Sequence, residues 1–512
     1  MSKYWCMMVL MGVISIPSSF AQAQALQPSQ PESSSLSQLD SSVVQLTLSD
    51  IVTLLLQNSR QLKNAALDRI VQRQQLRQAE STFSPQVQPL LGIGVSQTLS
   101  NSVTGSAPLS STTVGGATAG TSDEVSPGTI IARGAQVTGE MRSPLGTRLT
   151  VTVNPFESQR LGVTVTQPLL RGAGRRVNEA PVNQARLTET RNQLELRQTL
   201  TEQITQAGVT YRALAKAQEA LRIQQVSLAS QQKQLEFVQV LVNAGRRARS
   251  ELVDVRASIA ATESQLVVVQ NALEQAKSDL LNLLDLDNNL NIAVPQTLIA
   301  EFQTGNIPAE SYQDIQAAAL LPKAYSNRPE YLQAQLDIKI AELAGVVTRD
   351  NQRWGLDLQG TAGVGDTSQM AAGITLTRRF GDQELETNRR QSDVDLQKRQ
   401  NDLARITKDI ELEVGDRLRD INSALEQIAS AKRSTELAQR RLEIATERFR
   451  RGRDGDLFQV ISLQNDVVTA QNEEVNAKIS FLDAAARLDQ ATGATLETWQ
   501  SQVEASGLLA VP

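Results

Sequence analysis

Residue types that carry acid–base, nucleophilic or metal chemistry are scarce in this chain of 512 residues. Histidine is absent, which removes the commonest general acid/base and the commonest metal ligand together. The single cysteine, Cys6, stands in an N-terminal stretch that reads as a removable leader, so no thiol chemistry or disulfide is expected of the rest. The run from Gly172 to Arg176 has the glycines of a phosphate loop but lacks the Lys-Ser/Thr pair and the preceding buried strand, so no nucleotide site is read there. Acidic residues recur along the helical segments, where they read as solvated or lumen faces. No catalytic residue, metal site or cofactor is assigned, and the chain is not expected to be an enzyme.

The information lies instead in the elements. Residues 1–25 read as a secretory signal: Lys3, an apolar run from Trp5 to Ile16, Pro17, then small residues at Ala21, Ala23 and Ala25. That run is too short to span a membrane, and no later stretch approaches 18 uncharged apolar residues, which excludes a helical inner-membrane protein. Aromatic residues make up only 3% of the chain, so its core must come from aliphatic side chains at helical spacing. With 50 basic and 55 acidic residues, the chain has no general attraction to nucleic acid.

The second half repeats the first. Asn58 to Asp68 aligns with Asn327 to Asp337, Val163 to Thr166 with Ile374 to Thr377, and Gly245 with Gly452. The offset falls from 269 to 211 between the first two pairs, so the first half carries an insertion of 58 residues in its strand region. Residues 26–45 read as a flexible lead-in, 46–290 as the first repeat, 291–326 as a linker, 327–492 as the second repeat and 493–512 as a tail. Each repeat opens with a helix, about 47–83 and about 328–350. A long helix follows the strands, about 175–244 in the first repeat. Leu200, Ala207, Leu214, Leu221, Leu228, Leu235 and Val242 recur every seven residues along it, and Leu252, Ile259, Leu266, Leu273 and Leu280 continue the pattern beyond Gly245. Such heptads predict left-handed antiparallel coiled-coil packing. In the second repeat Ala424, Ala431, Ala438 and Ala445 line the seam and permit close helix approach.

Strands are predicted over Val87–Leu99 and Leu161–Leu170 and their counterparts in the second repeat. Residues 100–134 read as a long Ser/Thr/Gly loop. The alternation from Gly146 to Val153 reads as an extra hairpin arm or as an extension beyond a membrane, two alternatives that the sequence leaves open. About four principal strands per chain are too few for a closed membrane barrel, which starts at eight, and open edges cannot sit in lipid. The chain must therefore oligomerise, and three copies of four strands would give twelve.

These features resemble the TolC family of outer-membrane efflux and secretion ducts over about residues 45–492. The resemblance rests on the duplication, the strand-ending segment Thr166 to Gly174 and the two glycine tips. It implies a mainly α protein with membrane β: a homotrimer whose long helices form an α-barrel across the periplasm and whose strands form a 12-stranded barrel in outer-membrane lipid, with a mixed equatorial belt from about 287–327 and the C-terminus. It also implies a passive duct in a tripartite efflux pump or type I secretion system, docked to a periplasmic adaptor and an inner-membrane transporter of RND, ABC or MFS type. Adaptor contacts would lie at the tips, on Gly245, Arg246, Arg247 and Arg249 and on Gly452, Arg453, Asp454, Gly455 and Asp456. Family members place acids just beyond the second tip, where this chain has Gln459 and Ser462; Asp454, Asp456 and Asp466 are nearby and any of them could substitute, and Asp254 and Asp466 are the candidate entrance acids. Phe83, Trp354 and Phe380 lie at strand ends, where membrane barrels carry aromatic girdles. The alternative reading is a structural or surface-displayed coiled-coil protein anchored by an outer-membrane β-domain.

Overall fold

A computed structural model describes residues 44–97, 129–155, 160–295, 315–451 and 456–508, with the side chains of 91–97 and 129–134 outside the description. The expected leader, most of the lead-in and tip residues Gly452, Arg453, Asp454 and Gly455 lie outside the described residues. In chain order the elements are β1 (Val44–Gln45), α1 (Leu48–Asn58), α2 (Arg60–Glu80), β2 (Gln86–Gln97), β3 (Thr129–Arg142), β4 (Arg148–Val153), β5 (Leu161–Pro168), α3 (Arg175–Asn178), α4 (Ala180–Asn243) and α5 (Ser250–Leu283). There follow β6 (Ile292–Ala293), α6 (Ala317–Asn327), α7 (Pro329–Asn351), β7 (Gly355–Val364), β8 (Gln369–Thr377), α8 (Gln383–Arg450), α9 (Leu457–Ala491) and two short C-terminal helices, α10 (Thr495–Thr498) and α11 (Gln500–Ser506). The internal repeat is visible as helix pair, strands, long helix and shorter helix, twice over.

Heptad seams hold the helices together. Leu200, Ala207 and Leu214 of α4 are fully buried or nearly so, as are Val255 and Leu280 of α5. In the second repeat Ile421, Ala424, Phe481 and Leu488 form the corresponding core between α8 and α9. The two long helices have 64 and 68 residues, about 100 Å each at about 1.5 Å per residue. α4 packs against α2 and α5 and, across the repeats, against α7 and α9; α8 packs against α6, α7 and α9. Among the described residues no helix is long and apolar enough to cross a membrane.

Local chemistry sets the element ends. Thr47 and Asp50 form a capping box at the start of α1: the Asp50 N–H donates to Thr47 Oγ1 at 3.3 Å and the Thr47 N–H to the Asp50 carboxylate at 2.9 Å. The helix expected over 47–83 breaks at Ser59, whose φ of −50° and ψ of 121° leave the helical region. The long helix expected from Arg175 breaks at Glu179, with Pro181 in the first turn of α4, where the missing N–H costs nothing. At the first tip Gly245 adopts φ +74°, the Gly245 N–H donates to the Val242 carbonyl at 3.0 Å, and the Arg246 N–H to the Leu241 carbonyl at 2.9 Å. This is the Schellman pattern, in which a left-handed residue closes the helix and satisfies its last carbonyls.

The sheet has six strands in the order β2-β3-β4-β5-β7-β8, every neighbour antiparallel. Two strands are thus added to the four principal ones expected. Their source is the insertion: Thr129–Arg142 includes residues expected as loop, and it ladders with the hairpin arm at Arg148–Val153. β3 itself holds only two threonines and two glycines in fourteen residues; the Ser/Thr/Gly loop expected over 100–134 ran across its first six positions, and its ladder becomes evident only beside its partner strands. Likewise α6 lies largely within the segment expected as a linker, with Pro322 inside it.

Helices and sheet meet at one joint built by the strand-ending segment. The Leu169 N–H donates to the Leu356 carbonyl at 2.7 Å and the Arg171 N–H to the Trp354 carbonyl at 3.1 Å. The Gly172 N–H donates to the buried Asp350 carboxylate at 2.6 Å. Gly146, in the β3–β4 turn, has φ +99°, and a Cβ there would fall 2.3 Å from the Gly172 carbonyl oxygen. Both its backbone conformation and its surroundings therefore require glycine.

A buried ion pair ties the first helix pair to α4. Arg69, 4% exposed, donates to Glu189 at 3.0 Å, and Arg73 stands 4.0 Å away. Burial acts to raise the Glu189 pKa, but the hydrogen bonds and charge of Arg69 outweigh it and hold the carboxyl below its usual value. Stabilisation from a depressed carboxyl is complete above the unfolded value of 4.5 and is lost as pH falls through the lower folded value. Glu189→Ala strands the Arg69 charge and is expected to cost about 3–5 kcal/mol. Thermal unfolding of the purified protein in mild detergent measures this; an unchanged midpoint at neutral pH would contradict the buried pairing.

Candidate functional site

Strands β4, β5, β7 and β8 and the described side chains of β3 alternate, and the registers place paired residues on the same face; on β2 the exposed Leu90 departs from this, opposite Gln136 on the polar side. One face carries Val137, Met141, Leu149, Val151, Val153, Leu161, Val163, Val165, Leu358, Ile374 and Leu376, joined across the ladders by pairs such as Val151↔Val163, Leu161↔Val364 and Leu358↔Ile374. Many of these large apolar side chains are exposed in the single chain, Ile374 at 68%, as is Met370, which shares the face through its pairing with Ala362, at 90%. The opposite face carries Thr138, Glu140, Arg148, Thr150, Thr152, Thr164, Thr166, Gln359, Thr361 and Thr375. A broad apolar face of this kind marks a surface made for contact with something other than water. The outer edges of β2 and β8 are the two ends of the sheet, and among the described residues no strand stands beside them.

Where helices pass into strands, Trp354 and Phe380 meet edge to face with ring centroids 6.1 Å apart. The Arg378 guanidinium stands over both rings, at 4.6 Å and 5.1 Å. Phe83 ends the short helical turn before β2, also at a helix–strand passage. The structure thus brings Trp354 and Phe380 together and adds Arg378, whose role depends on the spatial meeting of 354 and 380. Amphipathic rings beside a cation suit a boundary between apolar and aqueous surroundings.

At the far end of the helices the two hairpins meet. Val238, Val255 and Ile259 of the first pack with Ala445, Phe449, Leu457 and Val460 of the second. Phe237 and Phe449 make an edge contact at 6.2 Å, and the Arg247 guanidinium lies 4.6 Å over the Phe449 ring while it pairs with Glu251 at 3.5 Å. Arg247 is therefore a clamp between the hairpins, whereas Arg246 and Arg249 are exposed. In the second tip Asp456 caps α9 by accepting the Phe458 N–H at 3.0 Å. That cap turns Phe458 outward, 73% exposed, beside buried Leu457. Phe458 was not selected from sequence; its signal was an aromatic directly after a buried apolar residue on an amphipathic helix. Asp254 and Asp466 are exposed on the first turns of α5 and three turns into α9. Among the described residues no group of His, Cys, Asp and Glu could hold a metal ion.

Paired long coiled-coil hairpins joined to an antiparallel sheet with one apolar face define the class: this chain has the fold of the TolC-like outer-membrane channels. Solved structures agree over nearly its whole length. VceC, an outer membrane protein of Vibrio cholerae, is 14% identical with a TM-score of 0.62 over 87% of this chain and 96% of its own. The CmeC outer membrane channel of Campylobacter jejuni is 15% identical with a TM-score of 0.62, covering 89% of each chain. CusC, described through its transmembrane channel formation, is 16% identical with a TM-score of 0.63 over 88% of this chain and 93% of its own. In sequence, no protein-family model and no curated protein matches the chain. The matched structures are described as outer-membrane channels and membrane proteins.

Replacing Phe449 removes the ring that Arg247 and Phe237 both use. Phe449→Ala is expected to cost about 3–5 kcal/mol of local stability and to uncouple the hairpins. Amide exchange would then rise in 238–260 and 442–460 and stay unchanged in the α1–α4 core. Exchange that is equal in wild type and variant would place the coupling elsewhere.

Proposed function

We propose that the chain is the outer-membrane duct of a tripartite efflux pump or type I secretion system. It works as a homotrimer and extends into the periplasm. The observation that carries this reading is the conjunction of an apolar sheet face with two open sheet edges. In lipid an unpaired edge leaves backbone N–H and C=O groups without partners, so the sheet must close on further copies. The fold shared with known channels supports three copies and an outer-membrane setting. Polar side chains on the opposite face would line the water-filled interior. Trp354 and Phe380 would sit at the membrane boundary, and the helices beyond them would cross the periplasm.

The duct carries no energy source of its own. Cargo is driven by an inner-membrane transporter, and the tips open when a periplasmic adaptor docks. Arg246, Arg249, Arg453 and Phe458 would make the docking surface, since arginine pairs with carboxylates and an exposed aromatic supplies apolar area. Arg247 closes the tip through Phe449 and is released when the hairpins part. Asp254 and Asp466 would face the entrance, and Asp454 and Gly455 would complete the second tip.

Purified protein added to a planar bilayer is expected to give discrete conductance steps, and Phe449→Ala, with its loosened tips, larger ones. Bilayers that stay silent with both proteins would contradict the duct. The double variant Arg246→Glu, Arg249→Glu is expected to keep these steps while export by cells falls at least about tenfold, the loss of ~1.4 kcal/mol or more of docking energy. Normal export by that variant would remove the adaptor role from the first tip.

A further inference from the structure

The β3–β4 hairpin lies between β2 and β5, so it cannot be a mere appendage to the sheet's edge. Four observations bear on where it sits relative to lipid. Its side chains keep the alternation of the neighbouring strands: Val137, Met141, Leu149, Val151 and Val153 share the apolar face, and Thr138, Thr150 and Thr152 the polar one. Glu140, Arg142 and Arg148 at its foot fall on the polar face, where both arginines stand 3.3 Å from Glu140, while the register puts position Arg133, opposite Ile93, in the row of Val137 nine residues above the foot of β3. Charge on a lipid-facing strand position costs about 2–4 kcal/mol at mid-membrane for a basic residue and about 0–1 near the interfaces, so the segregation at the foot is what a spanning strand needs, and Arg133 would belong at the opposite interface. Thirdly, its turn is fastened to the joint at which helices meet sheet: the Gly174 N–H donates to the Leu145 carbonyl at 3.0 Å.

The fourth observation is the stagger. Glu140 opposes Gln86 and Arg142 opposes Arg148; further on, Thr166 opposes Arg148, Asp357 opposes Pro168 and Thr377 opposes Gly355. Carried across the sheet, these registers set the feet of β3 and β4 two residues below that of β2, the foot of β5 four below, and those of β7 and β8 six below. Six residues at about 3.3 Å against five strand spacings of about 4.8 Å correspond to a tilt of about 40°. Closed membrane barrels tilt by about 35–45°. The hairpin takes its part in this progression, as it would if the feet of all six strands lay on one ring.

We propose that the β3–β4 hairpin spans the outer membrane as part of the barrel wall. The trimer then closes eighteen strands through contact of β8 in one copy with β2 in the next, in place of the twelve that four strands per chain would give. This inference rests on the trimeric-duct reading. Barrel diameter grows roughly linearly with strand number, so the exit is about one and a half times as wide as a twelve-stranded one. An opening of that class holds an aqueous channel without a plug, which suits bulky hydrated cargo such as a polypeptide or polysaccharide.

β4 is the shortest of the six strands, so the test is placed there. Single cysteines are introduced at Val151 and Thr152, and as a reference at Val163 and Thr164 on β5, in a Cys6→Ser background reconstituted in lipid. A fluorophore at 151 and at 163 is expected to be quenched by brominated lipid, while 152 and 164 react with a membrane-impermeant maleimide. Alternation at 163 and 164 combined with full water access at both 151 and 152 would put the hairpin outside the membrane and overturn the eighteen strands while leaving the duct intact. Loss of alternation on β5 as well would remove the duct reading and this inference with it.

Discussion

A sheet edge with unpaired backbone groups, set beside a face made for lipid, is the constraint on which the rest of this structure depends. Every N–H and C=O on the free sides of β2 and β8 needs a partner that hydrocarbon cannot supply. Among the described residues no strand of this chain stands beside β2 or β8. In the proposed duct, association with further copies would therefore be part of the fold rather than an addition to it. The same condition explains why the sheet can be so thin in apolar residues: each strand needs only one lipid-facing row, and Thr, Gly and Gln suffice for the other.

Below the sheet the problem changes from edges to seams. Each 64- or 68-residue helix is flanked by several shorter ones, α4 by α2, α5, α7 and α9 and α8 by α6, α7 and α9, which cover its buried stripe. Small residues such as Ala424, Ala438 and Ala445 let the helices approach closely, and ion pairs fix which helices meet. Arg212 of α4 reaches Asp483 of α9 at 2.8 Å, and Arg328 reaches Glu413 of α8 at 2.5 Å. The Arg212–Asp483 pair joins the two repeats and the Arg328–Glu413 pair ties helices within the second, while at the tips the Arg247–Phe449 contact sits on the buried cluster of Val238, Val255, Leu457 and Val460.

Much of this was legible in sequence, and the reasons are physical. Heptads survive any change of partner because a coiled-coil seam is set by one period, so Leu200 to Val242 announced α4 and its packing. Glycine tips were legible because a left-handed residue after a helix leaves few alternatives, as Gly245 bears out. Asp285 was not legible, since it takes a left-handed φ of 54° at the end of α5 without being glycine. The break at Glu179 had a local signal in Pro181, which suits the first turn of a new helix, whereas Ser59 leaves the helical region with no side-chain cap to announce it. β3 stayed hidden because its pattern acquires meaning only once β2 and β4 lie on either side. At the candidate site, the exposed arginines were found from composition alone; the inward role of Arg247 required knowing that Phe449, two hundred residues away, lies beneath it.

The native mass of the mature protein, extracted from outer membranes in mild detergent, tests the central claim most directly. Closure of the sheet on copies of itself predicts a single species of three chains that resists dilution. A stable single chain would mean that the two free edges need no partner, and the account of the sheet as one part of a shared barrel would be contradicted.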